Sequence, residues 1–317
     1  MVPTASKGRD MTLYAISGLL LMLGLCGMSA QAGVRVFACE PEWAALVHEL
    51  AGDGARVYTA TTAMQDPHHI EARPSLIAAV RNADLVVCTG AELETGWLPL
   101  LLRQSGNARV QEGQPGHFEA AQHVKMLQVP TRLDRADGDV HAAGNPHIQT
   151  SPGTFTTVAP ALAARLAEVD PGQATVYRQR LADFQQRWRE ANVRWSQRAV
   201  PLKGARVVVQ HDGFPYLVQW LGLTQVAVLE PKPGVEPSSS YLSQVLQRLE
   251  QQPARMVLRA AYNPERSSRW LAERTRMPAV VLPGTVGGSE RAKDLFGLFD
   301  DTLDRLLQAA STAKAPA

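Results

Sequence analysis

The eight histidines of this sequence are the side chains best suited to chemistry by type and placement. Three of them lie in turn-rich segments or directly after a strand-like run: His68 in DPHHIE, His147 in GNPH and His211 after VVVQ. Imidazole is a common ligand of zinc and related metal ions. Because ligands of parallel α/β sheets bind at the carboxyl ends of the strands, side chains that follow strands can converge there. We therefore predict a metal site with nitrogen and oxygen ligands, although each histidine taken singly fits a surface or hydrogen-bonded core position equally well.

The elements that would position these histidines alternate between strands and helices. Strand-like runs occupy 34–39, 56–59, 84–89, 109–111, 205–210, 225–229, 255–258 and 279–282. Helical patterns begin at Pro41 and Pro74 and recur at 241–249, 266–276 and 295–307. This alternation is typical of βαβ units around a mainly parallel sheet. In contrast, 111–153 is rich in turn residues, so we expect a long functional loop with at most one strand there.

A long helix is predicted between the two alternating regions. Apolar residues spaced by four and three form one stripe over 171–199, and such a helix spans about 40 Å. We predict an α/β fold of two lobes, each with a mainly parallel sheet flanked by helices, joined by this one long rigid helix. The expected divisions are an N-terminal lobe carrying the metal-site loops at 33–153, a helical segment at 154–200 and a C-terminal lobe at 201–317.

Residues 1–32 have the features of a secretory signal peptide. Lys7 and Arg9 precede an apolar run over 19–25, and the run is followed by the small-residue sequence AQA. We predict cleavage after Ala32 and a periplasmic location, because the apolar run is short for a membrane-spanning helix. Lipid attachment at Cys26 is the less favoured interpretation, since the bulky Leu25 precedes it.

The composition and the cysteines exclude several classes of protein. Apolar residues make up 45% of the 317 residues, which excludes general disorder, and a net charge of +2 gives no reason to expect nucleic acid binding. The three cysteines form no CxxC pair, so a structural zinc ribbon is excluded. Cys39 and Cys88 each end a strand-like run, and after export they would form either a disulfide or two buried thiols.

Four segments carry a specific resemblance over essentially the whole mature chain. They are DPHHIEARPS from Asp66, GNPHIQTSP from Gly144, VVVQHDGFPYLVQWLGL from Val207 and LEPKPGVEPSSSYL from Leu229. The sequence resembles the periplasmic zinc- or manganese-binding proteins of ABC importers, the metal-binding class of solute-binding proteins. The resemblance implies a non-enzymatic carrier that captures Zn²⁺ as its transported ligand. The implied partners are the membrane permease of the importer and a periplasmic metallochaperone, with the carrier itself a monomer.

The resemblance also implies the ligands of the metal. By motif position they are His68, His147 and His211, and a histidine at the third position is similar to the zinc members, whereas manganese members typically have a glutamate there. The fourth ligand of the family is a carboxylate before the C-terminal helix, which corresponds to Asp294. Glu290 or a water are the alternatives for that ligand, and Asp294 also fits a plain helix-capping role.

Other polar residues near these motifs are expected to support the site. Carboxylates that could orient the zinc-bound imidazoles are Asp66, Glu71, Asp212 and Glu230. His141 lies in the modestly acidic loop and could capture and hand over the metal, whereas His117 and His123 fit solvated loop positions better. An exported zinc hydrolase, with Glu71, Asp212 or Glu230 as its base, is the alternative function, although no compact catalytic motif accompanies it.

Overall fold

The computed structural model describes residues 1–4, 33–132, 138 and 140–312. The chain divides into two units, 1–32 and 33–317, and the fold described below belongs to the second. Apart from residues 1–4, the predicted signal peptide lies outside the described residues, so its cleavage after Ala32 stays a prediction. Across the described ranges, no helix has both the length and the apolar character needed to cross a membrane.

The first lobe is built on a parallel sheet of four strands. In chain order the strands are β1 (Val34–Ala38), β2 (Ala55–Thr59), β3 (Leu85–Cys88) and β4 (His117–Glu119). They are arranged in the order β2-β1-β3-β4, with every neighbouring pair parallel. The helices of this lobe are α1 (Pro41–Ala51), α2 (Pro74–Asn82) and α3 (Leu98–Ser105). Each has a proline in its first turn, where the missing N–H costs no hydrogen bond.

Two consecutive helices, α4 (Pro152–Val169) and α5 (Ala174–Ala199), follow the first lobe. The predicted apolar stripe of α5 is buried at Tyr177, Phe184, Trp188 and Trp195. The helical segment predicted from about residue 171 opens with a 3-10 turn, Pro171–Gln173, and α5 itself begins at Ala174. At 26 residues, α5 is about 39 Å long.

The second lobe repeats the topology of the first. Its strands are β5 (Arg206–Val209), β6 (Thr224–Val228), β7 (Met256–Ala260) and β8 (Ala279–Leu282). They lie in the order β6-β5-β7-β8, again entirely parallel. The accompanying helices are α6 (Pro215–Leu221), α7 (Ser239–Gln251), α8 (Arg266–Thr275) and α9 (Leu295–Thr312). The predicted fold of two α/β lobes joined by a long helix is therefore confirmed.

One apolar core joins the two lobes through α5. The core includes Val36 from the first sheet and Val207 from the second. Between them, the Trp188 ring packs against Phe155 of α4 and Phe299 of α9, with ring centroids 5.5 and 5.7 Å apart. Because interiors of this kind are close-packed, the shared core opposes wide separation of the lobes. The predicted boundaries at 153 and 200 stay predictions.

Two local predictions have a clear outcome. The strand predicted at 109–111 is wrong, because Ala108–Val110 form a 3-10 turn in which the Asn107 side chain accepts a hydrogen bond from Arg109 N. Such side-chain bonds to the backbone compete with strand pairing. Cys39 and Cys88 form a disulfide, one of the two outcomes expected from the sequence, with their α carbons 4.8 Å apart.

Candidate metal site

His68 lies in the loop between β2 and α2, at the carboxyl edge of the first sheet. The Asp66 carboxylate accepts hydrogen bonds from the backbone N of His68, at 3.0 Å, and from its Nδ1, at 2.7 Å. The buried indole of Trp97 donates to the carbonyl of Pro67 at 2.9 Å, which ties the loop to the start of α3. Asp66 thus orients the imidazole while Trp97 holds the loop, and Nε2 is the ring nitrogen left for a ligand.

His147 is held by the same local device. Asn145 Oδ1 accepts from the backbone N of His147 at 3.1 Å and contacts its Nδ1 at 2.9 Å. Because the backbone N–H can only donate, the Asn145 atom is the amide oxygen, and Nδ1 of His147 carries the ring proton. Asp-Pro-His and Asn-Pro-His are therefore two copies of one turn, in which the first side chain fixes the imidazole two residues later.

His211 comes from the second lobe, two residues after the end of β5. Its Nδ1 donates to Glu230 Oε2 at 2.7 Å, and Glu230 directly follows Leu229 after the neighbouring strand β6. The same carboxylate oxygen accepts from Gly234 N at 2.9 Å, within the Pro-rich loop. A metal-bound imidazole usually donates its other N–H to such a partner, so this contact leaves Nε2 as the ligand atom.

The three imidazoles converge between the lobes. One nitrogen from each of His68, His147 and His211 lies within 4.8 Å of the other two. The ring centroids are 5.3 Å apart for His68 and His147, 5.7 Å for His68 and His211, and 5.0 Å for His147 and His211. With Zn–N bonds of about 2.0–2.1 Å and a centroid about 1.1 Å beyond the nitrogen, tetrahedral geometry places neighbouring centroids about 5.2 Å apart. The ring spacing therefore suits a cation with tetrahedral coordination.

Two of the three ligand atoms are buried polar atoms that need a partner. Within the described part of the chain, Nε2 of His68 and Nε2 of His147 accept and donate no hydrogen bond. Leaving a buried polar atom unpaired costs about 1–3 kcal/mol. A cation between the three rings would satisfy both atoms, so the donor set fits a metal ion.

The electrostatic surroundings differ among the three histidines. Burial, with the neighbouring imidazoles of His211 and His68 adding to it, holds the pKa of His147 well below its ordinary value. Burial also lowers the pKa of His211, but the hydrogen bond and charge of Glu230 outweigh it, and the net pKa is raised. Likewise, burial raises the pKa of Asp66, yet its contact with His68 leaves the pKa below the ordinary value. Asp66 and Glu230 are thus the carboxylates that contact imidazoles of the site.

Asp294 lies at the start of α9 and lines a cavity other than that of the converging histidines. It precedes α9, where its Oδ1 accepts from Gly297 N at 2.7 Å and caps the helix. The residue lines a separate cavity of about 420 Å³, together with His48 and Arg180. The group of converging ligand atoms contains neither Asp294 nor Glu290. Of the two roles expected for Asp294 from the sequence, the structure therefore supplies capping, because the first-turn N–H groups of α9 need an acceptor.

The other predicted polar residues divide into those at the site and those away from it. Glu71 is exposed, and Asp212 accepts from Gln128 and Gln225 at 3.0 and 2.9 Å, so the hydrogen bonds described for Asp212 go to amides and not to an imidazole of the three. His117 pairs with Glu119, and His123 stacks on Phe118. His141, in contrast, lines the cavity beside His147 and His211.

Sequence reasoning missed Asn145, which both orients His147 and joins the lobes. Its Nδ2 donates to the backbone carbonyl of Asp212 at 2.7 Å. Tyr216 of α6 reinforces this contact, since its hydroxyl donates to Asn145 O and accepts from Leu127 N. The signal that could have identified Asn145 is its spacing of two residues before the histidine, which matches that of Asp66.

Comparison with known proteins gives a consistent family assignment for this fold. The family described as zinc-uptake complex component A, periplasmic, ZnuA, matches residues 36–309. A solved structure named crystal structure of ZnuA has a TM-score of 0.72 at 22% identity, covering 89% of this chain and 100% of that one. This likeness concerns the fold.

Relatives with described functions include both zinc and manganese proteins. The high-affinity zinc uptake system protein ZnuA of Yersinia pestis is 25% identical over 204 residues, 58% of this chain and 61% of that protein. The zinc-binding lipoprotein AdcA of Streptococcus pneumoniae is 24% identical over 62% of this chain and 39% of its own length. The manganese ABC transporter substrate-binding lipoprotein PsaA of Streptococcus anginosus is 20% identical over 88% of this chain and 89% of its own length. The chain thus spans less than two thirds of the first two relatives.

Proposed function

The chain belongs to the ZnuA family of periplasmic zinc-uptake components, and from that premise we propose that it captures Zn²⁺ with His68, His147 and His211 and delivers it to an ABC permease. This family consists of solute-binding proteins of ABC importers and not of enzymes. The observation that carries the proposal is the convergence of the three imidazole nitrogens within 4.8 Å of one another.

The choice of zinc over manganese rests on the donor set. His211 occupies the position after β5 with an imidazole, so nitrogen ligands come from both lobes. Imidazole-rich tetrahedral sites suit zinc, whereas manganese prefers carboxylate oxygen and higher coordination numbers. Asp66 and Glu230 are engaged with the Nδ1 atoms of His68 and His211, so each acts through its imidazole.

Capture and release are expected to involve loops rather than whole lobes. The ligands lie on the His68 loop, on the Asn-Pro-His turn and after β5, while the apolar core holds the two sheets together. Delivery to the permease takes place in the periplasm, the location predicted from residues 1–32. In this proposal the transported ion is the substrate, and no chemical bond other than the coordination bonds is made or broken.

The first experiment that tests this function is metal analysis of the protein isolated from the periplasm of the cells that produce it. Competition titration of the demetallated protein with zinc and manganese follows. We expect one tightly held zinc per chain that manganese does not displace. His68→Ala, His147→Ala and His211→Ala should each weaken zinc binding strongly. His48→Ala is the matched control, since His48 is exposed and lies at the cavity that contains Asp294. Bound manganese, or equal effects of all four substitutions, would overturn the proposal.

A further inference from the structure

We propose that His141 is a fourth imidazole ligand of the captured cation, so that the shell consists of four histidines and no carboxylate. This inference rests on the proposed function and deepens it, because it assigns the coordination position for which the sequence predicted Asp294. A shell of four imidazoles selects divalent cations that favour four nitrogen donors.

The position of the His141 ring is the first observation. Its centroid lies 5.4 Å from that of His68, within the range of 5.0 to 5.7 Å that separates the other three rings from one another. This distance is close to the spacing of about 5.2 Å for imidazoles that share a tetrahedral zinc ion. His141 also lines the cavity of about 160 Å³ that His147 and His211 line. The His141 ring therefore lies next to the site. It stands outside the group of three whose nitrogens all lie within 4.8 Å of one another, so binding of the cation would draw the His141 turn inward.

A hydrogen bond to the first lobe holds the backbone next to His141. Ala142 N donates to the Glu92 carboxylate at 2.5 Å. Glu92 itself has a φ of 66°, in the left-handed region that non-glycine residues rarely adopt, and Ala91 before it has a φ of 49°. Strain of this kind persists only where the surroundings impose it, and it often marks a binding site. The strained residue is thus the one that holds the turn carrying His141.

The other end of the same turn is also built for close packing. Gly144 N donates to the carbonyl of His141 at 3.1 Å, and Gly144 has a φ of 109°. A Cβ at this glycine would lie 2.7 Å from the carbonyl oxygen of Leu127. A side chain is therefore excluded on both conformational and steric grounds. Glu92 and Gly144 together set where the His141 imidazole is presented to the other three.

Four neutral imidazoles would give this site a distinct selectivity. Four nitrogen donors complete a tetrahedral shell, which suits Zn²⁺ and leaves no oxygen ligand for Mn²⁺. The two negative charges that balance the ion, on Asp66 and Glu230, then act from behind the rings of His68 and His211. Discrimination against manganese is accordingly expected to depend on His141 more than on either carboxylate.

X-ray absorption spectroscopy of the zinc-loaded protein tests this inference, because it counts imidazole ligands directly. We expect four imidazoles in the wild type, and three plus an oxygen or added imidazole in His141→Ala. The substitution should weaken zinc binding at least as much as the loss of a group that supports a metal ligand, which costs roughly 10- to 100-fold. The ratio of zinc affinity to manganese affinity should be smaller in His141→Ala than in the wild type. Free imidazole, which fits the space left by the ring, should restore part of the affinity.

A matched control and a second variant keep the test decisive. His123→Ala removes a loop histidine that stacks on Phe118 outside the cavity, and it should leave the zinc spectrum unchanged. Glu92→Ala removes the carboxylate that accepts from Ala142 N and leaves every histidine in the sequence, and it should reduce the share of four-imidazole sites.

Different results would overturn the fourth ligand, His141, and the zinc-carrier function. Three imidazoles in the wild-type spectrum, with zinc affinity unchanged in His141→Ala, would overturn the inference. If His68→Ala and His211→Ala still lost zinc in that case, the proposed function would stand. If those two variants kept their zinc, both the proposed function and this inference would be overturned.

Discussion

His211 and Glu230 connect neighbouring strands of the second sheet at its carboxyl edge, with His211 Nδ1 2.7 Å from Glu230 Oε2. His211 and Glu230 each lie two residues beyond the ends of β5 and β6, Val209 and Val228, which are paired, so the parallel pairing of these strands brings the two side chains together. Both are largely buried, at 9% and 11% side-chain exposure. The contact fixes the ring orientation and the basicity of an expected metal ligand.

Replacing Glu230 with Gln should therefore change both the strength and the pH dependence of zinc binding. Glu230 raises the pKa of His211, so in the wild type protons compete with zinc at a higher pH than they would without it. In Glu230→Gln, we expect affinity at neutral pH to fall about 10- to 100-fold and proton competition to begin at lower pH. Zinc titrations between about pH 5 and 8 measure both effects. The exposed Glu236→Gln is the control, and an unchanged pH profile in Glu230→Gln would contradict the expectation.

Asn145 offers a test that separates orientation of His147 from contact between the lobes. Asn145→Asp keeps the acceptor for His147 but loses the Nδ2 donor to the Asp212 carbonyl, whereas Asn145→Ala loses both. We expect Asn145→Ala to weaken zinc binding on the order of 10- to 100-fold, and Asn145→Asp to weaken it less. Isothermal titration of both variants checks the order. Equal losses would mean that the contact with Asp212 matters more than the orientation of the ring.

Trp97 is expected to support His68 through the protein backbone. Its indole N–H donates to the carbonyl of Pro67, and Trp97 is only 1% exposed. Trp97→Phe leaves that carbonyl without its donor, so we expect a loss of about 1–3 kcal/mol in the free energy of unfolding. Urea unfolding of the metal-free protein measures this loss. Trp270→Phe is the control, because its ring lies under Arg274 on α8, away from the His68 loop.

The buried carboxyl of Glu42 should make the stability of the protein fall as pH rises. Burial raises the pKa of Glu42 from 4.5 to about 7, and its only side-chain partner among the described hydrogen bonds is the Thr285 hydroxyl of the second lobe. Between these two pH values the folded chain holds a proton that the unfolded chain has lost. Stability from this carboxyl is therefore full below about pH 4.5, decreases as pH rises and is lost above about pH 7.

Glu42→Gln keeps a hydrogen-bond acceptor for Thr285 and removes the ionisation. We expect the variant to match the wild type near pH 4.5 and to exceed its unfolding free energy by on the order of 2 kcal/mol at pH 8. Urea unfolding at the two pH values provides the measurement, with the exposed Glu250→Gln as control. A difference of the same size at both pH values would show that ionisation of Glu42 is not its cause.

Most secondary structure could be predicted from local pattern alone. β8 has the bounds expected from its apolar run, and α1 and α2 begin at the prolines that indicated their starts. The short helices α3 and α6 escaped prediction, since eight and seven residues show too few turns for a helical periodicity. The strand His117–Glu119 has only three residues, so its pairing with β3 defines it more than its own sequence does.

By itself, the sequence determined the two-lobed α/β fold and the identity of three converging histidines, because strand periodicity, the Asx-Pro-His turns and the residue after β5 are local features. The sequence left two roles open for Asp294, and the capping contact with Gly297 N is visible only in the tertiary structure. An aspartate before a helix has the same local pattern whether it caps that helix or binds a metal. In the structure Asp294 lines a cavity with His48 and Arg180, and it is not in the group of converging imidazole nitrogens. The same holds for His141, whose approach to His68 depends on Glu92, a residue 49 positions earlier that the fold alone brings to its turn.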